Sequence, residues 1–279
     1  MIDLVTRVVI WLNALANAVG GLLLAPLAVL PGWLSATLAA AVTGVGLLLA
    51  FKYTSNQQAI KRVKDDIKAN LLALKLFKES TAVTLAAQGA ILVGAARLAL
   101  LAIVPMLVMF VPVLLILGQL SLWYQARPLR VDEEAIITLK RGGDAAAPEV
   151  RLALADEIEV VAGPVRVPSE HEVCWRIKAL KPGRHRLKFH TGDQVSEKEL
   201  AVGDGFMRVS TMRPDGNVGD LLMHPAEAPF DRESPIRSIT IDYPGRSSWT
   251  SGADTWVAYW FAASMVFGFA FRRALNVNV

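Results

Sequence analysis

The sequence predicts an α-helical membrane protein with four transmembrane helices and a cytosolic helical hairpin, carrying an all-β extracytoplasmic sandwich domain. Three observations lead there. The 279 residues are 53% hydrophobic and only 19% charged, with a mean hydropathy of +0.40, too apolar for an ordinary soluble or disordered chain. Residues 8–51, 98–122 and 255–271 contain no Asp, Glu, Lys or Arg. Charge is also partitioned: residues 123–254 hold 18 of the 29 basic and 21 of the 25 acidic side chains, a net −3, against +7 for the remainder.

Residues 8–30 are long enough, at about 1.5 Å per residue, to cross a hydrocarbon core of about 30 Å. Pro26, Pro31 and Gly32 then break the helix, and residues 34–51 supply a second span, so residues 1–52 read as a transmembrane hairpin. Arg7, the apolar run and Ala16-Asn17-Ala18 resemble a cleavable leader, but the run continues twelve residues past Ala18, which disfavours cleavage. Residues 53–97 change character. From Ser55 to Glu79, Ile60, Val63, Ile67, Leu71, Leu74 and Phe77 recur at helical spacing among charges. Residues 80–96 are uncharged but short and Gly-containing, and are expected to fold back as a second cytosolic arm rather than a membrane segment. A third span follows at 98–122, with Pro105 and Pro112 inside it and Trp123-Tyr124 at its end.

Residues 123–253 read as β structure. Val173, Trp175, Ile177 and Ala179 alternate with Cys174, Arg176 and Lys178, and similar alternation marks 187–190 and 239–243. Further strands are expected at 135–139, 150–154, 158–167, 198–202 and 206–211. Short strands with a Lys181-Pro182-Gly183 turn suggest an immunoglobulin-like sandwich. Residues 213–235 form a long Pro-rich excursion without a period. Residues 254–279 contribute the fourth span and a tail with Arg272-Arg273. Eight basic against three acidic residues between Lys52 and Arg97, together with that Arg pair, place both termini and the 53–97 helices in the cytoplasm, with the β-domain outside. A bacterial inner membrane fits the absence of any Asn-x-Ser/Thr sequon.

Neither an enzyme nor a cofactor or metal protein is expected. Cys174 is the only cysteine, the four histidines lack ligand spacing, and no GxSxG, Walker or HExxH pattern occurs. Asn13 and Asn17 stand four apart on one face of the first span, where an unpartnered amide is costly. They pair with other helices or, with Thr43, line a hydrated groove. Lys61, Arg62, Lys64, Lys68, Lys75 and Lys78 mark a surface for anionic headgroups or a cytosolic partner. No specific nucleic-acid site is indicated.

The order of parts, a span ending in Phe51-Lys52-Tyr53, the helix Gln57-Gln58-Ala59-Ile60-Lys61-Arg62-Val63-Lys64-Asp65-Asp66-Ile67-Lys68 and a span with Val104-Pro105-Met106, resembles the YidC-type insertase superfamily in its small three-span, coiled-coil members. The resemblance covers about residues 34–122 plus the last span. It implies a role in membrane-protein insertion, with the lipid bilayer, hydrophobic client segments and the ribosome as partners. The extra first span, the β-domain and the lack of an arginine within a span depart from that pattern. The alternative is a membrane-anchored β-sandwich that binds an envelope protein or a polysaccharide.

Overall fold

The structure, a computed structural model, describes residues 2–77, 79–142, 149–153, 156–231, 233–252 and 255–277. The chain divides into two compact units, Met1–Thr37 with Leu114–Trp260, and Leu38–Val113 with Phe261–Val279. Among the described residues, three helices are long and apolar enough to cross a membrane: Leu4–Val29, Gly32–Thr54 and Thr81–Tyr124. The expected fourth, α6 (Trp256–Phe271), has 16 residues and spans about 24 Å, shorter than a hydrocarbon core.

The first unit begins with α1 (Ile2–Leu24), which a 3-10 turn at Pro26–Val29 terminates. The β-domain follows the end of α4 (Thr81–Tyr124). Its strands are β1 (Glu134–Arg141), β2 (Val150–Leu152), β3 (Ile158–Val167), β4 (Glu172–Ala179), β5 (Gly183–Thr191), β6 (Gln194–Val202), β7 (Met212–Arg213) and β8 (Ile236–Ile241). They form two antiparallel sheets, ordered β3-β4-β1-β8-β7 and β2-β5-β6. Strands β1–β6 are distributed as strands B–G of a constant-type immunoglobulin domain are, D-E-B and C-F-G, while β8 takes the place beside β1 that strand A has there.

Alternation explains the core. Val173, Trp175, Ile177 and Ala179 of β4 are buried, as are Ile137 and Leu139 of β1, Leu187 and Phe189 of β5 and Ile239 and Ile241 of β8. Trp175 and Phe189, from the two sheets, meet edge to face at 5.7 Å. A bidentate pair braces the link from α4 into β1: Arg127 donates to both Glu133 oxygens at 2.7 and 2.8 Å. One expected strand is absent. Residues 206–211 run without a ladder because their polar groups bond elsewhere: Val209 N donates to the Leu122 carbonyl at the end of α4, and Ser210 is engaged by Lys198.

In the second unit, Asn56 caps α3 (Gln57–Leu76), accepting from Ala59 N at 3.0 Å. The 80–96 arm and the 98–122 span, expected as separate pieces, are one continuous 44-residue helix, α4. Arg97 marks a change of polarity there, not a helix end, since Ala, Leu and Arg all favour the helix. The arm does fold against α3: a Cβ on Gly94 would come within 2.6 Å of Ile67 and 3.9 Å of Val63. Residues of α2 (Gly32–Thr54) and α6 in this unit approach through small side chains. A Cβ on Gly44 would collide with the Ser264 carbonyl, and one on Gly268 would lie 3.8 Å from the Gly44 carbonyl. Lys52 closes the tail, donating to the Leu275 carbonyl at 2.7 Å.

Candidate functional site

The excursion 213–235 contains a short helix, α5 (Val218–Met223), capped by Asn217. Such a helix leaves its last carbonyls without intrahelical partners. Asn13 Nδ2 donates to the Leu221 carbonyl and Asn17 Nδ2 to the Pro225 carbonyl, both at 2.6 Å. Gln119 Nε2 of α4 then donates to Asn17 Oδ1 at 2.9 Å. Glycines permit this closeness: Gly118 leaves no room for a Cβ against the Leu222 carbonyl, and a Cβ on Gly20 would lie 2.6 Å from Gln119 Oε1. The Nδ2 groups of Asn13 and Asn17 are taken up by backbone carbonyls, Asn13 Oδ1 is buried without a hydrogen-bond partner, and Thr43 donates back to the Ala39 carbonyl of its own helix at 2.7 Å.

A second polar cluster holds the other side of the excursion. Lys198 is fully buried, and its ammonium donates to the Ser210 carbonyl (2.7 Å), Ser210 Oγ (3.0 Å) and Glu227 Oε1 (2.6 Å). Glu227 Oε2 accepts from Glu199 N at 3.0 Å. Arg208 donates to the Ala226 carbonyl, and Arg213 donates to the Ala228 and Glu197 carbonyls while stacking over Phe230 at 4.1 Å. Burial pushes the Lys198 ammonium below the ordinary lysine value, with Glu227 opposing the shift. A Ser–Lys pair has the elements of a nucleophile and base, but Ser210 is only 1% exposed and Lys198 0%, so no substrate reaches them. The cluster is structural. Its signal was legible: at period two, Lys198 shares the inward face with Leu200 and Val202.

On α3, Lys61, Arg62, Lys68 and Lys75 are exposed, and Lys68 pairs loosely with Asp65 at 3.5 Å. Lys64 is half-buried, and burial, then the nearby charges of Arg272 and Lys68, lowers its pKa. The tail thus adds Arg272 to the α3 basic surface. Lys78 lies outside the described residues. Around this basic face the hairpin keeps Leu71, Leu72, Leu76, Phe77, Leu85, Leu92 and Val93 exposed. Farther along α4, Leu100, Ile103, Val104, Met106, Leu107 and Phe110 are exposed as well, and just 6% of its most apolar stretch is buried.

On the β-domain, a shallow open depression of about 310 Å³ is lined by charged Glu134, Arg176 and Asp242 with Ile136, Tyr243 and Pro244. Among the described residues, no three His, Cys, Asp or Glu side chains are grouped to hold a metal. Comparison with family profiles, curated proteins and solved structures gives no match to this chain.

Proposed function

We propose that this chain is a non-enzymatic integral membrane protein that assists the insertion or assembly of other membrane proteins. The observation that carries the reading is the apolar flank of α4. Helix packing covers almost none of it, and it continues into a hairpin that exposes Leu and Phe residues beside the lysines of α3. Such a surface suits a client segment passing from cytosol to lipid, while the basic residues of α3 and Arg272 suit anionic headgroups. In this reading the hairpin and carboxyl terminus are cytoplasmic and the β-domain lies outside, which the basic excess of residues 52–97 and Arg272-Arg273 supports.

Photocrosslinkers at Leu72, Leu92 and Ile103 test it, using ribosome-bound nascent membrane proteins in vesicles. Crosslinks to apolar segments that vanish when those segments are made charged are expected; their absence at all three positions refutes the reading. The depression at Arg176 and Asp242 supports a second reading, a membrane-anchored domain that binds a polar envelope ligand such as a polysaccharide. Glycan binding by the full chain that Arg176→Ala abolishes would favour it.

A further inference from the structure

We infer that α1 does not cross the membrane but lies in the outer interface, with one face sunk among the acyl chains of the outer leaflet. Its two faces differ sharply. Leu4, Val8, Trp11, Leu15, Val19 and Leu22 are each 48–77% exposed and fall within an arc of about 80° at 3.6 residues per turn. Val9, Asn13, Asn17, Gly20 and Leu24 occupy an arc centred about 160° away; Val9, Asn13 and Leu24 are buried, and Gly20 lies against Gln119. One side is thus wholly apolar and bare, and the other carries amides bonded to protein backbone.

What those amides hold decides the depth of the helix. In a crossing Leu4–Val29 segment, Asn17 comes thirteen residues after the first position and twelve before the last, at the bilayer midplane. Its partner is the Pro225 carbonyl, and that of Asn13 is the Leu221 carbonyl, within an excursion that is irregular on both sides of α5. Asn217 and Gly219 are exposed there, and Asp215 and Asp220 are half-buried. A crossing α1 would hold this backbone and these carboxylates in the hydrocarbon centre. Lipid-exposed irregular backbone is not tolerated at that depth.

The contact to α4 gives the same depth independently. Gln119, which reaches Asn17, precedes Tyr124 at the helix end by five residues, about 7.5 Å. Trp123 and Tyr124 are buried against Phe206 of the β-domain and Arg246 donates to the Trp123 carbonyl at 2.9 Å, which puts this helix end at the edge of the hydrocarbon, and an interfacial helix buries its apolar face by about 5–10 Å. A helix lying flat at this level satisfies all these constraints. Leu4, Trp11 and Leu22 meet lipid, Asn13 and Asn17 face α5, and the crossing helices reduce to α2, α4 and the short α6, which needs a locally thinned bilayer to cross, with α1 on the same side as the β-domain. This inference rests on the membrane orientation proposed above, but not on client handling.

The test uses the full chain in vesicles with Cys174→Ser as background. A fluorophore placed by Leu4→Cys, Leu15→Cys or Leu22→Cys is quenched by lipids carrying nitroxides at shallow or deep acyl positions. A flat helix gives three depths that agree within a few Å, all quenched better by the shallow label. A crossing helix spreads Leu4 and Leu22 over about 27 Å, with Leu15 quenched best by the deep label, and overturns the inference. Shielding of all three positions from both lipids would mean that a second protein copy covers the face, and overturns it too. Sidedness is read with an impermeant maleimide on Val5→Cys, Asp193→Cys and Asp66→Cys. Val5 is expected to react from the side of Asp193; reaction from the side of Asp66 overturns the inference. Asp193 and Asp66 reacting from one side would instead refute the orientation, a result distinguishable from loss of the flat depth profile.

Discussion

The unit containing the β-domain and the unit containing the hairpin handle apolar sequence in different ways. The first seals a core between two sheets and fixes its long excursion with directed polar bonds: Lys198 to Glu227, Asn13 to Leu221, Asn17 to Pro225. The second has no comparable core. Its buried apolar side chains are few, α2 and α6 meet where glycine lets backbones touch, and α4 stays bare. Directed bonds specify one geometry, because a buried polar group without its partner is heavily penalised. Small-residue contacts and bare apolar flanks specify much less, which suits a surface that meets lipid or varied partners.

The largest test of that contrast is Glu227→Gln, which leaves the Lys198 charge buried and unpaired. A loss of about 3–5 kcal/mol is expected in denaturant unfolding monitored by the tryptophans of the β-domain. Lys198→Met with Glu227→Leu should recover most of it; no recovery would mean that packing rather than charge dominates. Gly44→Leu comes next. It should weaken the α2–α6 contact by about 1–3 kcal/mol in mixed micelles while leaving β-domain melting unchanged. A shift of both transitions would dissolve the distinction between the units.

Replacing Asn13 and Asn17 by Leu removes the donors to Leu221 and Pro225, at a cost of about 1–2 kcal/mol. Proteolysis of residues 214–230 should then quicken, without cleavage in β4 or β5. A smaller effect depends on pH. The Arg127 guanidinium, by direct bonding, holds the Glu133 carboxyl down to about 2, from 4.5. Since the folded value is the lower, the contribution is complete above pH 4.5 and fades as pH falls toward about 2. Discounted for partial exposure, it amounts to about 1 kcal/mol, and Glu133→Gln should flatten that part of the acid limb. Smallest of all, Asp65→Asn on α3 removes an exposed pair and should change stability by under about 0.5 kcal/mol.

Local pattern carried much of the fold. Gaps in charge located α2 and residues 98–122 of α4, helical spacing located α3, and period-two alternation located β4, β5 and β8. What it lacked was partner identity. Charge could not reveal that Arg97 sits inside a continuous helix, because polarity and helicity are separate properties. Nothing near Asn13 or Asn17 points to carbonyls 208 residues away in each case. The same separation hid the role of residues 206–211, whose hydrophobic alternation imitates a strand while their bonds go to Leu122 and Lys198. Lys198 went unnoticed in the sequence although its place two and four residues before Leu200 and Val202 in β6 puts it on the inward face.

The position of β8 sets a clock on the synthesis of this protein. Strand β1 acquires its second neighbour only when Ile236–Ile241 is made, about a hundred residues after Arg141. At about 5–20 residues per second, one edge of β1 stays without its partner for roughly 5–20 s. During that interval the nascent domain displays an unpaired strand edge, a template for wrong pairing, and only after Val202 are all six strands β1–β6 of its two-sheet scaffold available. Closure of the five-stranded sheet is thus timed by the ribosome, and slowing translation between codons 141 and 236 should lower the yield of correctly folded chain more than slowing it elsewhere.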